Sequence, residues 1–104
     1  MKFTRSQQLE KLIAHEVAEI LPQFFSSKRF GMLTVVGVDC AKSFDSARVR
    51  VSVLRNSHQF DEDAKKVISK IQSILNKKLV MKKIPKLILD LDKTGELLEK
   101  LERL

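Results

Sequence analysis

Ala47, Val49, Val51 and Val53 alternate with Arg48, Arg50 and Ser52. Patterning with a period of two places one set of side chains on a buried face and the other on a polar face. A half-buried strand needs a sheet and a layer packed on it, which excludes an all-helical bundle. Leu33-Thr34-Val35-Val36-Gly37-Val38-Asp39 is short and rich in β-branched residues, and reads as the preceding strand. Gly37 within it predicts a bulge or a close approach of backbone. Residues 40–46 are polar and turn-like, so the two strands are expected to form an antiparallel hairpin. Leu87, Leu89 and Leu91, alternating with Ile88 and Asp90, predict a third strand.

Helices fill the remaining segments. Leu9, Leu12, Ile13, Val17, Ile20 and Leu21 follow the i, i+3, i+4 pattern, with Gln8, Lys11, His15 and Glu19 on the other side. Thr4 and Gln7 have the spacing of a capping box, and Pro22 is expected to end the helix. Residues 23–32 read as a loop. Asp61-Glu62-Asp63 suits the positive end of a second helix, whose apolar face holds Ala64, Val67, Ile68, Ile71, Ile74 and Leu75. Lys78 and Lys82 would fall on that face in one straight helix. Residues 61–83 would also span about 34 Å, longer than a neighbouring strand, so a bend or break is expected. Asp92 or Thr94 can cap a last helix carrying Leu97, Leu98, Leu101 and Leu104. The order is α-β-β-α-α-β-α: an α+β fold with a three-stranded mixed sheet and helices mainly on one face. A right-handed crossover joins the second and third strands in parallel.

The 104 residues are enough for one domain, and no linker or low-complexity stretch divides them. No apolar run is long enough to span a bilayer, and the N-terminus lacks an apolar signal core. With one cysteine, Cys40, a disulfide framework and a Cys-cluster zinc site are excluded. A reducing cytoplasm is the expected compartment. His15 and His58 have no partner at ligand spacing, so no metal site is expected. No Walker loop, dinucleotide fingerprint, general acid/base pair or activated nucleophile is evident. The chain is therefore expected to be no enzyme, with no cofactor and no small-molecule substrate.

The net charge of +7 comes from one segment. Between Ala64 and Leu89 there are eight lysines and no acid, while the rest of the chain carries twelve basic and thirteen acidic residues. A concentrated positive field attracts polyanions, and nucleic acid is the commonest such partner of a small basic domain. The alternative is a solvated lysine face that keeps the protein soluble.

The sequence resembles the ribosome-binding factor A family, which has a type-II KH-like fold. The likeness is carried by Gln8–Leu21 and by Lys28–Asp39, similar to the family's D-P-R-L-G…V-T-V…V segment. It continues through Asp45–Leu54, similar to its A-K-V-Y-V strand, and Ile71–Leu79 with Ile84–Leu87, similar to its I-R…L…R…P…L helix and strand. Together these cover nearly the whole chain, residues 1–104, as one KH-like RNA-binding domain. The resemblance implies an assembly factor that binds the immature small ribosomal subunit and assists maturation of its RNA, with a role in cold-shock adaptation in several bacteria. It also implies an Ala-x-Gly interruption between the two middle helices, which falls here on Val67-Ile68-Ser69. Asn76 replaces another frequent glycine. The chain ends at Leu104, without the charged tail of longer members, so no role of such a tail is expected.

The sequence has no G-x-x-G loop, no Trp or Tyr, and no strand-borne aromatic pair. Lysine and arginine contacts to phosphate remain, and these read backbone shape rather than sequence. The candidates are Lys65, Lys66, Lys70, Lys77, Lys78, Lys82, Lys83 and Lys86, with Lys28 and Arg29 as second choices. Lys82 and Lys83 are expected to be held in a rigid site before Pro85. Arg48 and Arg50 read as an exposed polar sheet face, and Arg5, a cation at a helix N-terminus, as a weak candidate for a ligand phosphate. The chain is expected to act as a monomer, without a membrane. The alternative reading is a basic amphipathic module that lies on a membrane surface or serves as a protein adaptor.

Overall fold

The computed structural model describes residues 4–92 and residue 101. The order is α1 (Arg5–Ile20), a 3-10 turn (Leu21–Gln23), α2 (Ser27–Phe30), β1 (Leu33–Cys40), β2 (Ser46–Val53), α3 (Ser57–Lys78) and β3 (Lys86–Asp92). The expected last helix over Leu97, Leu98 and Leu104 lies outside the described residues; of that stretch, only Leu101 is described.

The sheet is mixed, in the order β1-β2-β3. β1 runs antiparallel to β2, with Val35 opposite Val51, and β2 runs parallel to β3, with Val49 opposite Leu89. The register slips between Val35 and Gly37. This is the expected bulge, and it sits where the guanidinium of Arg50 covers Gly37: a Cβ there would stand 2.2 Å from that group. The alternation in β2 is realised fully. Ala47, Val49, Val51 and Val53 are wholly buried beneath α1 and α3, with Leu87 of β3 beside them. The other face carries Thr34, Val36, Arg48 and Ile88 to solvent.

α1 begins with the expected capping box. The Gln7 N–H donates to Thr4 Oγ1 (3.1 Å), and the Thr4 N–H donates to Gln7 Oε1 (3.0 Å). Leu9, Ile13, Val17 and Ile20 enter the core, but Leu12 stays 43 % exposed, because it lies beyond the edge of the buried stripe. The Cys40 N–H donates to the Glu10 carboxylate (2.8 Å) and ties α1 to the end of β1. The segment expected as a loop contains the 3-10 turn and the single turn α2, capped by Ser26. There Phe25, Phe30 and Phe60 pack together, with ring centroids 4.5–6.0 Å apart.

α3 departs from the sequence reading in three ways. It starts at Ser57, so Asp61-Glu62-Asp63 lies a full turn inside the helix and does not cap it. The preceding residue, Asn56, takes a left-handed conformation (φ 56°), and its side chain donates to the Arg29 carbonyl (2.6 Å) instead of capping α3. The three acids find other work: Asp61 and Glu62 approach Lys65 at 3.8 and 3.5 Å, and Asp63 approaches Arg29 at 3.9 Å and accepts from Gln59 (2.7 Å).

Second, α3 is one unbroken helix of 22 residues, so a single helix stands where two were expected, and Val67, Ile68 and Ser69 lie within it. No glycine or proline occurs between Ser57 and Lys78. Serine costs a helix interior only a few tenths of a kcal/mol, and Val67 and Ile68 both pack against the core. Third, the helix runs on beyond Gln72, whose side chain meets the start of β3 at Pro85 and Leu87. There Lys78 turns to α1 and pairs with Glu16 (3.6 Å) and Glu19 (3.7 Å), so the expected clash of Lys78 with the apolar face does not arise. Lys82 is beyond the helix end.

Candidate nucleic-acid interface

The solvent face of α3 follows from helix geometry. At about 100° per residue, Lys66, Lys70 and Lys77 fall within about 40° of one another and opposite the buried line of Phe60, Ala64, Ile71 and Leu75. All three are exposed, with Ser73 among them. Their spacing along the axis is about 6 Å and then about 10 Å. Among the described residues none of the three has a carboxylate within ion-pair distance. A row of lysines so placed offers mobile ammonium groups to a polyanion without first breaking an internal contact.

The other candidates divide. Lys86 opens β3 and lines a groove of about 340 Å³ with Ile68, Ser69, Gln72, Ser73, Asn76 and Leu87, so it flanks the α3 stripe. Gln72 fixes this junction: its side-chain amide donates to the Pro85 carbonyl (3.1 Å), and its oxygen accepts from the Leu87 N–H (2.7 Å). Lys82 and Lys83 share a second cleft with Arg5, at the other side of the 79–84 loop. They are not equivalent there, because Lys83 is hydrogen-bonded to the Asp45 carboxylate. That bond, and next the one from Ser43, hold Asp45 below the usual carboxylate range.

Three further candidates are also occupied. Lys65 faces Asp61 and Glu62, and Lys78 faces Glu16 and Glu19. Arg29 pairs with Asp63, and its guanidinium lies 5.4 Å from the centre of the Phe30 ring. Lys28 is exposed on α2, beside a separate groove lined by Met32, Leu54 and Arg55. The ten candidates therefore form one unpaired stripe with Lys86 at its flank, one cleft, and one remote site, while four are held by carboxylates.

On the opposite sheet face Arg48 approaches Asp90 (3.9 Å) and Arg50 approaches Asp39 (3.2 Å). The second contact is ionic, since the buried Arg50 Nε makes no aligned hydrogen bond. His15, Glu16 and Glu19 come close enough together to share an ion, but Lys78 stands over both carboxylates. Cys40 is pushed up by partial burial and then by the charges of Glu10 and Asp39, which is the reverse of nucleophile activation. Sequence reasoning missed the apolar lining of the cleft, Leu9, Phe44, Val80 and Met81. The signal available was Val80-Met81, an apolar pair among lysines with no periodic partner.

This architecture has counterparts among known proteins. The family model described as Ribosome-binding factor A matches residues 5–104. A ribosome-binding factor A from Wigglesworthia glossinidia brevipalpis is 34 % identical over 88 residues, covering 80 % of this chain and 70 % of that protein. One from Staphylococcus epidermidis is 26 % identical, covering 100 % of this chain and 92 % of its own. In three dimensions, the crystal structure of the Thermus thermophilus factor superimposes with a TM-score of 0.72 at 21 % identity, covering 83 % of this chain and 93 % of that one. The Thermus factor as fitted into the cryo-EM map of its complex with the 30S subunit gives 0.64 at 21 % identity, covering 86 % and 92 %. On the family match over nearly its whole length and the close relative from Wigglesworthia, the chain belongs to the ribosome-binding factor A family.

Proposed function

We propose that this protein is a non-enzymatic assembly factor of the cytoplasm that binds the immature small ribosomal subunit as a monomer. It lays the solvent face of α3 against the phosphates of structured ribosomal RNA and so assists maturation of that RNA. The observation that carries this reading is the row of Lys66, Lys70 and Lys77 on one face of a rigid helix, without an ion-pair partner among the described residues, in a segment that contains no acid from Ala64 to Leu89. Family membership supports the same partner, as does the Thermus relative's complex with the 30S subunit. Lys86 and Lys82 extend the contact, whereas Lys65, Lys78, Lys83 and Arg29 contribute less because each already neutralises a carboxylate of its own molecule.

The membrane-surface alternative loses its physical basis. An interfacial helix needs a free apolar face, and that of α3 is closed against the sheet, with Ile71 and Leu75 wholly buried. Among the described residues no helix is long and apolar enough to cross a membrane.

The test is sedimentation of cell extract through a sucrose gradient, followed by blotting for the chain. The wild-type protein should migrate with small subunits and not with full ribosomes, and the Lys66→Gln/Lys70→Gln/Lys77→Gln variant should remain at the top of the gradient. A variant that still migrates with small subunits would refute the assignment of the stripe. A salt-resistant association of the wild type with free protein fractions would favour an adaptor instead.

A further inference from the structure

The cleft that holds Lys82 and Lys83 has a composition that the α3 stripe lacks. Its volume is about 500 Å³, and it forms where the first turn of α1, the β1–β2 turn and the 79–84 loop meet. Leu9, Phe44, Val80 and Met81 give it apolar walls, Arg5, Lys82 and Lys83 give it three cations, and among the described residues no carboxylate lines it. Val80 is fully exposed and Met81 is 41 % exposed, so the apolar side of the cleft is open to an occupant.

Phe44 is held there firmly. It is a bulky residue at φ 61°, a conformation that large side chains rarely adopt. The turn around it is closed by the Phe44 N–H donating to the Ala41 carbonyl (2.9 Å) and the Ala41 N–H donating to the Ser46 carbonyl (3.0 Å). The next residue, Asp45, uses its carbonyl to accept from the Lys86 N–H (3.0 Å) and its carboxylate to hold Lys83. The rim and the aromatic wall are therefore parts of one braced turn.

An occupant complementary to this cleft has an apolar flat body and a negative charge within reach of Arg5 and Lys82. A nucleotide combines both: every base has a face that stacks on apolar and aromatic side chains, and its phosphate is anionic. In folded RNA such a base is available only where it is unpaired, in a bulge, loop or end. We infer that the cleft binds one unpaired nucleotide of the RNA, with the base against Phe44 and Met81 and its phosphate between Arg5 and Lys82. This rests on the RNA reading above and adds to it. The α3 stripe follows backbone and is blind to base state, whereas the cleft distinguishes a strand with an extruded base from a continuous duplex. That selects a site in the RNA without reading sequence.

The experiment uses fluorescence anisotropy with the purified full chain and three RNA hairpins of identical stem: fully paired, with a single unpaired adenosine, and with an abasic nucleotide at the same place. The wild type should bind the adenosine bulge at least about fivefold more tightly than the other two, the lower end of what one stacked base contributes. Val80→Ser/Met81→Ser should abolish the preference while leaving affinity for the paired hairpin unchanged. Both residues are exposed, so the fold is retained, as an unaltered thermal melt will show. Arg5→Gln/Lys82→Gln should weaken binding of the adenosine bulge more than that of the paired hairpin. Equal affinity of the wild type for all three hairpins overturns the inference and leaves the stripe intact, as does an abasic bulge bound as tightly as adenosine. Absence of binding to every hairpin overturns the RNA reading and this inference together. Binding of a Leu/Glu-alternating peptide that is lost in Val80→Ser/Met81→Ser, in a protein without bulge preference, assigns the cleft to an acidic protein segment and overturns it as well.

Discussion

Replacing Lys66, Lys70 and Lys77 by glutamine tests the stripe quantitatively. Each unpaired lysine that neutralises one phosphate releases condensed counterions, and log K then falls with log salt by about 0.7–0.9 per contact. Three contacts give a slope change of about 2–2.7. At 0.1 M salt this corresponds to a loss of about 100- to 500-fold in affinity, shrinking toward nothing as salt approaches 1 M. Glutamine and lysine have similar helix propensities, and all three positions are exposed, so the thermal midpoint should barely move. Lys65→Gln serves as the internal control. That lysine already faces Asp61 and Glu62, and its loss should change the slope by well under one. Binding of a structured RNA, titrated at several salt concentrations, reads all of this. An unchanged slope in the triple variant, or a loss of equal size at every salt, would refute the reasoning.

Other outcomes follow from individual contacts. Gln72→Ala leaves a strand-edge N–H and a carbonyl without partners, so urea unfolding should show a loss of about 1–3 kcal/mol. Asp45→Asn frees Lys83 and should raise RNA affinity a few-fold at low salt. Because Asp45 is held below its ordinary value in the folded state, its pair with Lys83 stabilises the fold above the unfolded carboxylate value, near 3.9. The difference in melting temperature between Asp45→Asn and wild type should therefore be constant from pH 8 to 5 and shrink only as pH falls below about 4. The Cys40 thiol, pushed up by burial and then by Glu10 and Asp39, should react with iodoacetamide more slowly than free cysteine at pH 8. A faster reaction would contradict this environment.

Local signals were legible wherever one stretch of chain carries its own reason. The valine alternation in β2, the bulge at Gly37, the Thr4–Gln7 box and the leucines of β3 all depend on neighbours within a few residues. α3 shows where that fails. Its start depends on Asn56, whose side chain serves the α2 carbonyl of Arg29 across the fold, so the acids at 61–63 took the place of a cap in the sequence reading. The expected break rested on the length of residues 61–83 and on Lys82 and Lys78 falling on an apolar face, and of these two lysines only Lys78 lies within the helix. Glu16 and Glu19 make it tolerable, and they come from another helix, some sixty residues earlier in the chain.

The candidate site divides in the same way. The lysine-rich segment is evident from composition, and helical spacing alone puts Lys66, Lys70 and Lys77 on one side. Which lysines are already neutralised is decided by long-range partners: Asp45 for Lys83, the α1 acids for Lys78 and Asp63 for Arg29. The cleft was not legible because its walls come from three distant segments.

Site-specific photocrosslinking to purified immature small subunits tests most directly which face meets RNA. A benzophenone side chain placed at Ser73, on the exposed side of α3, should crosslink ribosomal RNA; the same group at Thr34, on the open sheet face, should not. RNA crosslinks from Thr34 with none from Ser73 would contradict the account at its centre.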